Sequence, residues 1–163
     1  MPRKPVIAVV GSGSEIEPAV SNARELGKLI ADNGWVLITG GRNAGVMRSA
    51  NEGAKLIEGS LTIGILPSRD ADASDAVDVA IVTDTGQARN NIIVLSADVV
   101  IACGVDGAGT ASEVALAIKN GKPVILLAVG DEAKRFFEKI GKECLYYAES
   151  PKGAISAANQ LLS

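Results

Sequence analysis

Short runs of Val, Ile and Leu recur along this chain. Each ends in a glycine-rich or proline-bearing turn, and most turns lead into a stretch with helical periodicity. The runs are Val6–Val10, Trp35–Thr39, Leu61–Leu66, Asp78–Val82, Val99–Ala102, Pro123–Leu127 and Glu143–Tyr147. A run that is apolar at nearly every position suits a strand buried on both faces, because alternation marks a strand with one wet face. Helical patterns fill most of the intervals: Pro18 to about Asn33, Val46 to Leu56, Gln87 to Ser96, the stretch closing near Asn120-Gly121, Asp131 to Ile140, and Pro151 to Leu162. Pro18 and Pro151 suit helix starts, and Gly34 suits a helix stop. Strand–helix alternation without an internal boundary predicts an α/β fold: one doubly wound Rossmann-like domain over residues 1–163. Its sheet is expected to be mostly parallel, with about seven strands.

Composition agrees. Hydrophobic residues make up 47% of the 163 residues, but aromatics only 3%. The core must therefore be built from Val, Ile, Leu and Ala. The net charge is −3 with no basic block, which argues against nucleic acid as the partner. Cys103 and Cys144 each adjoin an apolar run and read as small core residues. Histidine is absent, so any acid or base must be a carboxylate, Lys, Tyr, Cys or bound water. The lead-in Met1-Pro2-Arg3-Lys4-Pro5 lacks the apolar core of a signal peptide, and no later run is long enough to span a bilayer. A cytoplasmic protein without a membrane partner is the expectation.

Three glycine-rich turns follow strands, at the end of a parallel sheet where ligands bind. Gly11-Ser12-Gly13-Ser14 is a weak dinucleotide signal, since Ile16 stands where a third glycine would fall. It reads as a plain strand–helix turn or as one wall of a phosphate or ribose pocket. Gly40-Gly41-Arg42-Asn43-Ala44-Gly45 places a cation, Arg42, for an anion or for solvent. Gly107-Ala108-Gly109-Thr110-Ala111-Ser112-Glu113 opens a helix whose first amides favour a phosphate. In the plainer reading of that turn, Thr110 is the N-cap and Glu113 its capping-box partner. Arg89 sits at the start of a helix, where the dipole disfavours a cation. It therefore reads either as asking for a negative partner, a ligand or a carboxylate such as Glu113, or as a plain surface Arg. The small, acidic segment Ser68–Val77 reads as an exposed loop or a lid.

These motifs, with Ala88-Arg89-Asn90 and Gly121-Lys122-Pro123-Val124, resemble the LOG-like (Lonely Guy) superfamily in order and spacing over nearly the whole chain. They are most similar to the branch containing molybdenum cofactor carrier proteins. In the enzymatic branch the resemblance implies a nucleoside 5′-monophosphate phosphoribohydrolase. Glu113 and Arg89 then match that family's catalytic Glu and Arg. Gly86-Gln87 and Asn90 stand where that family carries Met-His and Lys, and Val105-Asp106 alters its Pro-Gly lead-in. Gly11, Ser12, Gly40, Gly41, Arg42, Gly45, Gly107, Gly109 and Thr110 are the candidate binding residues, with no metal among the expected ligands.

Three functions compete. The leading one is a carrier of a phosphorylated pterin or nucleotide, with molybdenum cofactor (molybdopterin) as cargo. It needs amide donors, a few cations and a pocket. The second is the phosphoribohydrolase, in which Glu113 would stabilise oxocarbenium charge or position water, kept ionised by Arg89. The third is a nucleotide-sensing domain whose ligand only alters assembly. The resemblance also implies a homo-oligomer, a dimer or tetramer.

Overall fold

A computed structural model describes residues 3–163; Met1 and Pro2, the first residues of the polar lead-in, lie outside the described residues. The elements are β1 (Val6–Gly11), α1 (Ala19–Asp32), β2 (Val36–Thr39), α2 (Gly45–Ala54), β3 (Leu61–Leu66), β4 (Val79–Val82), α3 (Arg89–Ser96), β5 (Val99–Cys103), α4 (Ala108–Lys119), β6 (Val124–Leu127), α5 (Asp131–Gly141), β7 (Leu145–Ala148) and α6 (Pro151–Leu162). All seven strands pair in parallel, in the order β4-β3-β2-β1-β5-β6-β7. The expected α/β sheet is therefore observed, and it is wholly parallel.

The two-residue period of a strand sorts its side chains between two cores. Ile7, Val9, Leu37, Val99, Ile101, Ile125 and Leu127 face α1, α2 and α6, where Ala23, Leu26, Ile30, Ala50 and Ala154 meet them. Ala8, Val10, Ile38, Val100, Ala102, Val124 and Leu126 face the opposite layer, packed by Ile93, Val94, Val114, Ala117 and Phe137. Small helix residues let these helices sit close to strands of Val and Ile. Cys103 and Cys144 are free and buried, as core residues should be.

The chain winds from β1 outward to β4, then returns to β5 on the other side of β1. Helix layers change over at that return, so a crevice opens beyond the carboxyl ends of β1 and β5. Positive φ at Gly34 (+72°) stops α1 where the sequence predicted. The segment after β3 is held more tightly than a free lid. Asn43 donates its amide to the Asp72 carbonyl at 2.8 Å, and Ser74 donates its amide to the Gly41 carbonyl at 2.9 Å. Arg42 and Ala73 thereby form an isolated antiparallel bridge. Among the described residues no acidic group is arranged to hold a metal, and no helix is long and apolar enough to cross a membrane.

Candidate functional site

The crevice is a cleft of about 210 Å³ lined by Gly11, Ser12, Gly13, Arg42, Met47, Gln87, Arg89, Asn90, Gly107, Gly109, Thr110 and Glu113. Four chain segments converge on it: the turns after β1, β2 and β5, and the start of α3.

The turn after β5 delivers a helix start. Gly107, extended at φ −168° and ψ 169°, is the N-cap of α4 and offers no side-chain acceptor. The first helical amide to find a partner is that of Ala111, which donates to the Gly107 carbonyl at 3.1 Å. The amides of Ala108, Gly109 and Thr110 thus have no protein acceptor among the described residues, and they carry the positive end of the helix dipole. A Ser, Thr or Asp cap would have taken up one of them. The capping-box reading fails here, because the helix begins three residues earlier than it requires. Thr110 lies inside the first turn, and Glu113 one turn further along. Asp106 does not line the cleft; it borders the neighbouring hollows beside Gly104 and Ala128.

Glu113 is only 9% exposed and lines the cleft. No hydrogen bond supports its carboxylate, yet neither oxygen is sealed away from the cleft. Burial pushes its pKa from the ordinary 4.5 up to about 7, against the opposing pull of Arg89. Desolvation outweighs the pull of the cation, so Arg89 offsets only part of the burial penalty on the Glu113 carboxylate.

Arg89 is 5% exposed. A short 3-10 turn over Gly86–Ala88 precedes it and makes it the first residue of α3. Its Nε donates to the Ile65 carbonyl at 2.8 Å, and its Nη1 to Gln87 Oε1 at 3.2 Å and Asn90 Oδ1 at 3.4 Å. All three acceptors are neutral. Burial lowers its pKa, nearby Glu113 raises it, and Arg42 lowers it again. A buried cation without a carboxylate in contact is costly unless something negative approaches it.

Asn90 is the residue that sequence reasoning passed over. Its Nδ2 donates to Ser112 Oγ at 3.0 Å, and that hydroxyl donates to the Gly109 carbonyl at 2.6 Å. Asn90 thus links the Arg89 guanidinium to the first turn of α4. Its place directly after Arg89 in the Ala-Arg-Asn triplet was the available signal. Gly13, in the turn read as one possible wall of a pocket, lines the cleft with Gly11 and Ser12, and Met47 and Gln87 join them.

Gly40, Gly41 and Gly45 are not among the lining residues. A Cβ on Gly40 would stand 2.7 Å from Met47 Sδ and 3.1 Å from Arg89 Nη2, so Gly40 makes room for both. Gly41 abuts Gly64 of β3. Gly45, at φ +46°, lets the start of α2 press onto the backbone of Ser12 and Gly13. The first α2 amides already have partners: Gly45 donates to Glu15 Oε1 at 3.0 Å and Val46 to the Ser12 carbonyl at 3.0 Å. Arg48 balances Glu15 at 2.9 Å.

Comparison with known proteins agrees with the fold and motifs. The model of the SLOG cluster4 family matches residues 4–155. A relative from Archaeoglobus fulgidus is 45% identical over 134 residues, 81% of this chain and 87% of that one. The molybdenum cofactor binding protein of Rippkaea orientalis superposes with a TM-score of 0.94 at 53% identity, over 99% of both chains. The molybdenum cofactor carrier protein of Chlamydomonas reinhardtii superposes with a TM-score of 0.91 at 49% identity, over 98% of this chain and 99% of that one. The resemblance read from the glycine turns, Arg89 and Glu113 is thus met by full-length matches, and the chain belongs to the SLOG cluster4 family.

Proposed function

We propose that this protein is a carrier for molybdenum cofactor, a phosphorylated pterin, and that it works in the cytoplasm as a homo-oligomer of a single Rossmann-like domain. The observation that carries the reading is the set of first-turn α4 amides, without protein acceptors, in the same cleft as the buried cation Arg89. Amides of Ala108, Gly109 and Thr110 bind the phosphate, as helix starts do. Gly11 and Ser12 form the floor, Arg42 and Arg89 supply positive charge, and Gly107 keeps the cap clear. Gly40, Gly41 and Gly45 serve the site indirectly, by setting how closely α2 and Arg89 pack. The similarity at about half identity to cofactor-binding and carrier proteins supports the choice of cargo. The apolar residues Val79, Ile81, Val82, Ile92 and Leu95, exposed on β4 and α3, support self-association.

The test is retention. Protein purified from a host that makes the cofactor should release, on acid oxidation, a fluorescent pterin in stoichiometric amount. Protein that carries none and captures none when mixed with freshly released cofactor sinks the reading.

One observation favours a second reading, the phosphoribohydrolase. Glu113 faces the cleft without a hydrogen-bond partner, near neutral pKa, as a catalytic carboxyl group does. Free base released from nucleoside 5′-monophosphates by the wild type, and not by Glu113→Gln, would establish it.

A further inference from the structure

The Arg89 guanidinium is gripped along two of its edges and open at the third. Nε holds the Ile65 carbonyl, and Nη1 holds Gln87 Oε1 and Asn90 Oδ1. Nη2 donates to no group among the described residues, yet no buried side-chain nitrogen is left without a partner. Nη2 is therefore the edge that opens on the cleft, which Arg89 lines.

The Asn90 amide is fixed from both sides. A guanidinium can only donate, so the Asn90 atom facing it must be the oxygen. That sends Nδ2 the other way, to Ser112 Oγ, whose hydroxyl donates in turn to the Gly109 carbonyl. One buried amide thus ties the guanidinium to the first turn of α4, where Ala108, Gly109 and Thr110 keep their amides free of protein acceptors.

A carboxylate would hold a buried arginine more strongly than an amide does. Aspartate has the size and shape of asparagine and would reach Nη1 from the same place. It would also cancel the positive charge. The other side chain on Nη1, Gln87, is likewise neutral, and Glu113 makes no hydrogen bond to Arg89 although it feels its charge. Arg89 is held throughout by groups that orient it without neutralising it.

We propose that Asn90, with Gln87 beside it, is a positioning residue: it fixes the Arg89 guanidinium against the first turn of α4 and leaves its charge unspent, so that Nη2 and the α4 amides take one anionic group of the ligand together. This rests on the carrier reading in placing the ligand's phosphate at α4. It adds a requirement that the side chains holding Arg89 be uncharged.

The test sets folding against binding. Wild type, Asn90→Ala and Asn90→Asp are melted, and each is titrated with inorganic phosphate at neutral pH by phosphorus NMR. Asn90→Asp gives the buried cation a charged partner, so it should melt above Asn90→Ala. In binding the order should reverse. Asn90→Ala should weaken phosphate about threefold, the loss of one neutral hydrogen bond, and Asn90→Asp at least about tenfold. A residue that only supports the fold would rank the two variants alike in both measurements, and that result overturns the proposal. So does undiminished phosphate binding by Asn90→Asp. Gln87 is exposed, so Gln87→Glu decides if the Asn90 variants do not fold. It should weaken phosphate about threefold or more, and wild-type affinity in it overturns the proposal. Retained pterin is scored on the wild type alongside. Phosphate bound without pterin sinks the carrier reading and leaves the Asn90 comparison to stand on its own result. Wild type that binds no phosphate removes the α4 site and this proposal with it.

Discussion

Arg89 and Glu113 line one cleft from two different helices, feel each other's charge, and do not pair. Each is at least nine-tenths buried. The carboxyl group is therefore governed by burial first and by the cation second.

That ordering predicts a pH dependence of stability. Glu113 has a folded pKa of about 7 against an ordinary 4.5, so the native state binds more protons between those values. Its contribution is fully present below pH 4.5 and is lost as pH rises through about 7. Glu113→Gln keeps the shape and removes the ionisation. The variant should match the wild type at acid pH and exceed it at pH 8 by up to about 3 kcal/mol, because each pH unit between the folded and unfolded pKa is worth ~1.4 kcal/mol. Urea unfolding at both pH values measures this; parallel pH profiles would show that Glu113 is already ionised in the fold.

Gly107 sets function against helix stability. Its position accepts a Cβ with nothing within 4 Å, and its backbone is extended, so Gly107→Asp is sterically allowed. The new carboxylate should cap α4 and raise stability by a few tenths to about 1 kcal/mol. It should also occupy the phosphate-binding amides and weaken phosphate-ester binding by at least about tenfold. Thermal melts and calorimetry on the one variant test both signs; a stabilised protein with undiminished binding would place the anion elsewhere.

Two glycines with positive φ should respond unequally to alanine. At Gly34 (φ +72°) a Cβ meets nothing within 4 Å, so Gly34→Ala should cost only the conformational penalty of ~1 kcal/mol. At Gly45 (φ +46°) the Cβ would overlap the Ser12 carbonyl and approach Gly13 at 2.7 Å. Backbone cannot step aside cheaply there. Gly45→Ala should cost about 3 kcal/mol and lower Tm by roughly 10 °C in a chain of this size. Similar losses for the two would mean that α2 is not seated as described.

The two arginines of the cleft should separate in stability. Arg89→Ala leaves the Ile65 carbonyl without its partner and opens space beneath α3, so it should cost about 2 kcal/mol. Arg42→Ala removes an exposed side chain and should stay within about 0.5 kcal/mol of the wild type. Chemical denaturation of both variants decides. Equal costs would make Arg42 structural too.

The architecture was legible because the strands are apolar throughout and the punctuation is strong. Pro18, Gly34 and Pro151 mark helix boundaries within a residue or two of where they fall. Asp78 was counted into β4 but belongs to the turn before it. There its carboxylate accepts from the Thr62 amide at 2.8 Å and pairs with Lys55. The lining of the cleft was legible at Arg89, whose charge is unusual at a helix start, and at the glycine-rich turn that leads to Glu113. Thr110 misled because a Thr three residues before a Glu has the same spacing in a capping box and within a first helical turn. Gly41 and Gly45 announced that a side chain was forbidden, but not what forbids it. The obstacles, Gly64 and the Ser12 carbonyl, are distant in sequence. Nothing local marked Glu15, which acts through Gly45, thirty residues away.

That contact between Glu15 and Gly45 has a directional consequence. Successive strand–helix units repeat the same glycine-turn design, which by itself would offer a visiting molecule several equivalent places to set down its phosphate. One carboxylate belonging to the protein breaks the equivalence by claiming the start of α2 for itself. The top of the sheet is thereby made unequal: the start of α2 faces a carboxylate of the protein, whereas the first amides of α4 have no protein acceptor among the described residues.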